Sequence, residues 1–203
     1  MSLRRIGLLV LSLGVVAGCS LATKQAATRP AGDNELAPVM KKVAVAKIGP
    51  SRAAATMPSN TNVTGTVMFT EFDGKVIIIA DVKGLAPNTK HGFHIHEKGD
   101  LSDATLSNAG KHFDPGNTGM HGAPNEMGHA MHHAGDLGNL SADDKGVAHL
   151  ELTVDDLTID GPTNGIAGRS VIIHAKPDDM KTQPTGDSGG RIAGGVIEKT
   201  NQQ

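Results

Sequence analysis

The sequence predicts an all-β domain of short antiparallel strands, built as a sandwich or barrel and interrupted by two long loops. Three observations carry this reading. The 203-residue chain holds 26 Gly and 10 Pro against four aromatics, all Phe, so turns are frequent and the core rests on Val, Ile, Leu and Ala. Apolar and polar residues alternate in several short runs, and no segment shows a convincing helical period. Two stretches, 97 to about 139 and 175–190, show no period at all, and loops of that length in a compact domain are normally functional.

The elements follow in order. Residues 1–18 read as an export signal: Arg4 and Arg5 lead into an apolar run, 6–17, too short to span a bilayer. It ends in Val16-Ala-Gly-Cys19, which resembles the lipobox of bacterial lipoproteins and implies a lipid on Cys19. Ser20 after the Cys implies an exported lipoprotein on the membrane, on the outer membrane facing the periplasm if the cell is Gram-negative. Residues 19–40 read as a flexible tether, 41–198 as the domain and 199–203 as a tail. Within the domain, 42–48 alternates as a strand. Residues 62–72 and 75–82 form a hairpin through Asp73-Gly74, a strong turn signal. Residues 91–96, 147–154, 169–174 and 191–198 complete seven strands legible by pattern.

The formal net charge is −2, with no basic stripe and no aromatic stacking platform, which excludes a nucleic-acid partner. Ten His are clustered between His91 and His174. In His94-Ile95-His96, strand alternation puts both imidazoles on one face, roughly 6.5–7 Å apart, with Ile95 turned to the core. His112, His121, His129, His132, His133 and His174 follow, and Asp136 ends the first long loop with a carboxylate. Imidazole suits copper and zinc, and an added carboxylate suits zinc better. The chain therefore reads as metal-binding.

Five motifs in order resemble the copper/zinc superoxide dismutases. They are His91-Gly-Phe-His-Ile-His-Glu97 with Gly99-Asp100, Ala109-Gly-Lys-His-Phe-Asp-Pro115 with His121-Gly-Ala-Pro124, His133-Ala-Gly-Asp-Leu-Gly-Asn139, 168–179 and 189–197. The resemblance covers about 41–198. It implies an eight-stranded Greek-key β-barrel in which the first loop is metal-binding and the second electrostatic. It implies copper on His94, His96, His112 and His174. Zinc would be held by His112, His121, His133 and Asp136, so His112 bridges both ions. Asp178 would hydrogen-bond one ligand of each set, and Arg191 would dock superoxide beside the copper. Lys181, in the loop after His174, reads either as a second steering charge or as a solvated surface lysine. The implied reaction converts superoxide to O2 and H2O2, with His112 exchanging a proton. The alternative function is a copper-buffering lipoprotein without catalysis. The family self-associates in more than one way, and a homodimer is among the expected forms.

Two departures stand out. Most relatives join the first loop to the last strand by a disulfide, and here the corresponding positions are Leu106 and Gly194, with Cys19 the sole cysteine. Metal binding and apolar packing by Leu106 are the expected replacement. The zinc loop is also a few residues longer and adds His129, His132, Met120, Met127 and Met131. These read as a solvated insertion, the alternative being Cu(I) capture. His132 is the alternative to His133 as a ligand. His91 is expected to be structural and His149 to lie on the surface.

Overall fold

A computed structural model describes residues 41–54, 62–124 and 132–200. The expected signal peptide, the tether with Cys19, and His129, Met127 and Met131 lie outside the described residues.

Eight strands form one antiparallel sheet: β1 (Lys42–Pro50), β2 (Thr64–Phe72), β3 (Lys75–Lys83), β4 (Lys90–His96), β5 (Asp136–Ser141), β6 (Val147–Val154), β7 (Ser170–His174) and β8 (Arg191–Lys199). Their order is β5-β4-β7-β8-β1-β2-β3-β6. The non-consecutive neighbours β3–β6, β4–β7 and β8–β1 are the crossovers of a Greek key. An isolated bridge, Ala142 to Ala148, draws the β5 and β6 edges together, so the sheet is a nearly closed barrel.

The hairpin of β2 and β3 pairs Phe72 with Lys75, and Asp73 and Gly74 both take positive φ (51° and 71°). That is the twist a two-residue connection between right-twisted strands requires. Inward positions of every strand meet in one core: Val67, Phe69, Ile78, Phe93, Ile95 and Ile197 are fully buried. Each such side chain contributes about 1.5–3 kcal/mol on burial.

One element was not legible by pattern. Asp136–Ser141 is strand β5, so the first long loop ends at 135 instead of near 139. Its sequence, Asp-Leu-Gly-Asn-Leu-Ser, is poor in strand-forming residues. Pairing with β4 and burial of Leu137 and Leu140 in the core override that propensity. The pairing shifts register between Gly92 and His94.

The barrel positions the site through strand parity. On β4, Phe93 and Ile95 enter the core, which turns His94 and His96 outward. These outward residues are buried all the same, as is every residue of β7. Two loops, 97–135 and 175–190, cover them. The first folds back along β4: His96 bridges to His112, and the Phe113 amide donates to Ile95 O at 2.8 Å. The second is laid down by the Gly92 amide donating to Lys176 O, also at 2.8 Å.

Candidate metal centre

Six histidines and two aspartates converge under these loops, and all eight are buried. Hydrogen bonds on one ring nitrogen of each histidine decide what the other can do. His96 Nδ1 lies 3.0 Å from Gly110 O and His174 Nδ1 lies 3.2 Å from Gly189 O. A carbonyl only accepts, so both Nδ1 atoms carry hydrogen and both Nε2 atoms present lone pairs. Those two Nε2 atoms face each other at 3.3 Å. Lone pairs so placed repel unless a proton or a cation lies between them. His94 Nε2 is 2.8 Å from Asp178 Oδ2, which leaves His94 Nδ1 as a buried nitrogen with no partner. His112 Nε2 is another such orphan. The four free nitrogens of His94, His96, His112 and His174 lie within 4.8 Å of one another.

A second set adjoins the first through His112. Its Nδ1 lies 2.8 Å from Asp136 Oδ1. His133 Nδ1 is 3.3 Å from the same oxygen, and His121 Nδ1 approaches Asp136 Oδ2 to 3.0 Å without hydrogen-bond geometry. These four ligand atoms also lie within 4.8 Å of one another. The Asp136 carboxylate is aimed by the His133 and Gly122 amides, at 3.0 and 3.2 Å. Asp178 spans the two sets: Oδ2 meets His94 Nε2 and Oδ1 meets His121 Nε2, each at 2.8 Å. The Asn139 side chain holds Asp178 in turn, accepting from its amide at 2.8 Å and donating to its carbonyl at 2.9 Å.

The two sets differ electrostatically. Burial pushes His94 down to about 4, and His96 and His174 well below the ordinary imidazole range. For His121 burial also opposes the charged form, but Asp136 and Asp178 outweigh it and raise the ring to about 9. Burial alone would raise Asp136 and Asp178, yet the surrounding imidazoles hold both far below the carboxylate range. Orphaned lone pairs in a dry all-imidazole set fit copper, and imidazoles with one carboxylate fit zinc.

Arg191 starts β8 beside His174, with which it pairs. Its guanidinium donates to Leu106 O and, at 2.6 Å, to Gly110 O. Burial lowers its pKa, and nearby Asp103 opposes that. A cavity of about 470 Å³ opens over the centre, lined by His96, His112, His174, Arg191, Lys111 and Thr185 among others. Lys181 is exposed and outside this lining, and Lys111 is within it. Nothing in its sequence context marked it, because the loop has no period. His132 is buried but outside both sets: its Nδ1 faces His133 O at 2.8 Å and its Nε2 lies 3.9 Å from Asp156. His91 sits between Thr89 and His174 O, and His149 is an exposed partner of Asp81.

The disulfide positions are filled by packing. Leu106, Ala109 and Ile172 form a small separate apolar cluster. A Cβ at Gly194 would stand 2.8 Å from Ile172 Cδ1 and 3.3 Å from Leu106 Cδ1, so Leu106 uses the room a larger residue would need.

Together, fold and site define a barrel metalloprotein with two adjoining ligand sets that share one imidazole. The family model for copper/zinc superoxide dismutase (SODC) matches residues 63–197. An extracellular superoxide dismutase [Cu-Zn] of Brugia pahangi is 38% identical over 147 residues, 68% of this chain and 70% of that one. The crystal structure of the clock protein EA4 superposes with a TM-score of 0.64 at 38% identity, covering 77% of this chain and 93% of that one. This chain belongs to the copper/zinc superoxide dismutase family. It is an oxidoreductase acting on superoxide, and copper and zinc are its cofactors.

Proposed function

We propose that His94, His96, His112 and His174 hold the copper and that His112, His121, His133 and Asp136 hold the zinc. Arg191 docks the superoxide anion. The observation that carries this reading is His112, buried, with Nε2 turned into one set and Nδ1 into the other.

When bound, copper supplies one-electron exchange with superoxide, and zinc supplies a fixed charge beside His112. Two superoxide ions and two protons become one O2 and one H2O2. The chain's own residues bring the anion in and handle a proton. Arg191 is fixed in plane by its two carbonyl acceptors, which leaves its other N–H donors for an oxygen anion. At about 4 Å a unit charge pair is worth roughly 4 kcal/mol at an effective dielectric near 20, against about 1 kcal/mol in bulk water. Partial burial of Arg191 therefore strengthens its hold on the anion. His112 Nε2 is the atom placed to take up and return a proton at the cavity wall. Asp178 orients His94 and His121 so that their Nδ1 atoms face inward.

The test is superoxide decay with the Cu,Zn-loaded protein, His174→Ala and Arg191→Ala. The loaded protein should be active, His174→Ala inactive, and Arg191→Ala slowed by at least about tenfold, equivalent to 1.4 kcal/mol. Full activity in His174→Ala would refute the copper assignment.

We further propose that the protein is exported and anchored to a membrane by a lipid on Cys19, with its domain in the periplasm if the cell has one. The signal-like residues 1–18 and the lipobox-like Val16-Ala-Gly-Cys19 support this, and a relative named as extracellular supports the export alone. Cys19→Ser should move the protein from the membrane to the soluble fraction. Assembly as a homodimer is checked by sedimentation of the released domain.

A further inference from the structure

Gln183 lies on the exposed side of the second loop, and its sequence context, Lys-Thr-Gln-Pro, reads as plain surface. Its side-chain amide nevertheless makes a reciprocal pair with the backbone of His121. The His121 amide donates to Gln183 Oε1 at 2.6 Å, and Gln183 Nε2 donates to His121 O at 2.8 Å. A planar side-chain amide engaged at both ends mimics a strand pairing across two loops 62 residues apart in sequence. It fixes the position and the direction of the His121 backbone together. Three residues on, Gly186 seals the same place. It takes φ +66°, and a Cβ there would collide with Asp178 Oδ1 and stand 2.5 Å from His121 Nε2. The second loop thus grips His121 by its backbone at Gln183 and presses against its ring where it meets Asp178.

We propose that Gln183 is a positioning residue of the zinc set: it holds His121 so that Nδ1 faces Asp136, His112 and His133. This rests on the zinc assignment made above. The other members of the set have different supports. His112 is held by the β4 edge, and His133 and Asp136 hold each other by a local turn. The backbone bonds of His121 itself run to Gln183. Loss of a supporting partner of a ligand typically weakens metal binding 10–100-fold.

The experiment uses the full chain stripped of metal, with Co(II) as a spectroscopic probe of the zinc set and Zn(II) competition for affinity. Wild type, His121→Ala, Gln183→Ala and Gln183→Glu are compared, and Cu(II) at the other set is read in parallel. Gln183→Ala should weaken Co(II) binding at least tenfold and leave the Cu(II) spectrum and the far-ultraviolet dichroism unchanged. Gln183→Glu keeps the acceptor for the His121 amide but cannot donate to His121 O, so it should fall between wild type and Gln183→Ala. Titration of Gln183→Ala at wild-type affinity, while His121→Ala abolishes the Co(II) band, would overturn the role of Gln183. A Co(II) band intact in His121→Ala would instead remove the zinc assignment beneath it.

Discussion

The two ligand sets flanking His112 sit within a few ångströms of each other and share a ring, yet their surroundings are opposite. On one side, His96 and His174 are tied to carbonyls, which fix the tautomer and leave one nitrogen bare, and burial keeps both rings neutral. On the other, His121 lies between two carboxylates and His133 against one. The neutral side resists protons, and the carboxylate side gathers positive charge. An ion that must change its own charge is better served by an all-imidazole set, because no carboxylate then binds it directly; the Asp178 anion reaches that set only through the far nitrogen of His94. An ion that only anchors is better served by Asp136. The difference is made by what lies behind each ring, not by the rings themselves.

Removing the shared ring breaks this comparison outright. His112→Ala should lose dismutase activity by on the order of a thousandfold or more and lower both copper and zinc content, read by superoxide decay and metal analysis. Asp136→Asn sharpens it. Zinc affinity should fall on the order of 100-fold while the Cu(II) spectrum persists, and the His121 ring should titrate well below about 9 by NMR.

A pH series on the metal-free domain reads the same contrast as stability. His94 ordinarily takes a proton near 6.5, but in the fold only near 4, and His96 and His174 are shifted the same way. Between those values the unfolded chain binds more protons, so stability falls as pH drops from about 6.5 toward 4. His121 is shifted oppositely and keeps its proton to about 9, so its contribution is lost as pH rises from 6.5 through 9. Thermal midpoints should therefore describe a bell with a steeper acid limb, and loading both metals should flatten it. The smallest effect lies at the channel mouth. Lys111→Glu should slow superoxide decay several-fold at low salt, and the deficit should shrink as salt rises. Lys181→Glu should change it less.

Strand alternation revealed seven strands because their inward residues are branched and apolar. It missed β5, where Asp136, Gly138 and Asn139 are poor strand formers, and where Asp136 joins the second set and Asn139 holds Asp178. The histidines were legible because His-x-His on a strand fixes a shared face whatever the loops do. The placements of Lys111 and Gln183 were not legible: they come from how two aperiodic loops fold against each other, and no local pattern encodes that. The choice between His132 and His133 was likewise open in sequence. Only the turn that brings the His133 amide onto Asp136 separates the two.

Leu106 has a last consequence. The loop that offers Leu106 O and Gly110 O to Arg191 is anchored by a packed side chain where relatives use a covalent sulfur link. The guanidinium of Arg191 is therefore held in place by collapse of the polypeptide itself. The domain holds no cysteine, so placing Arg191 involves no thiol oxidation.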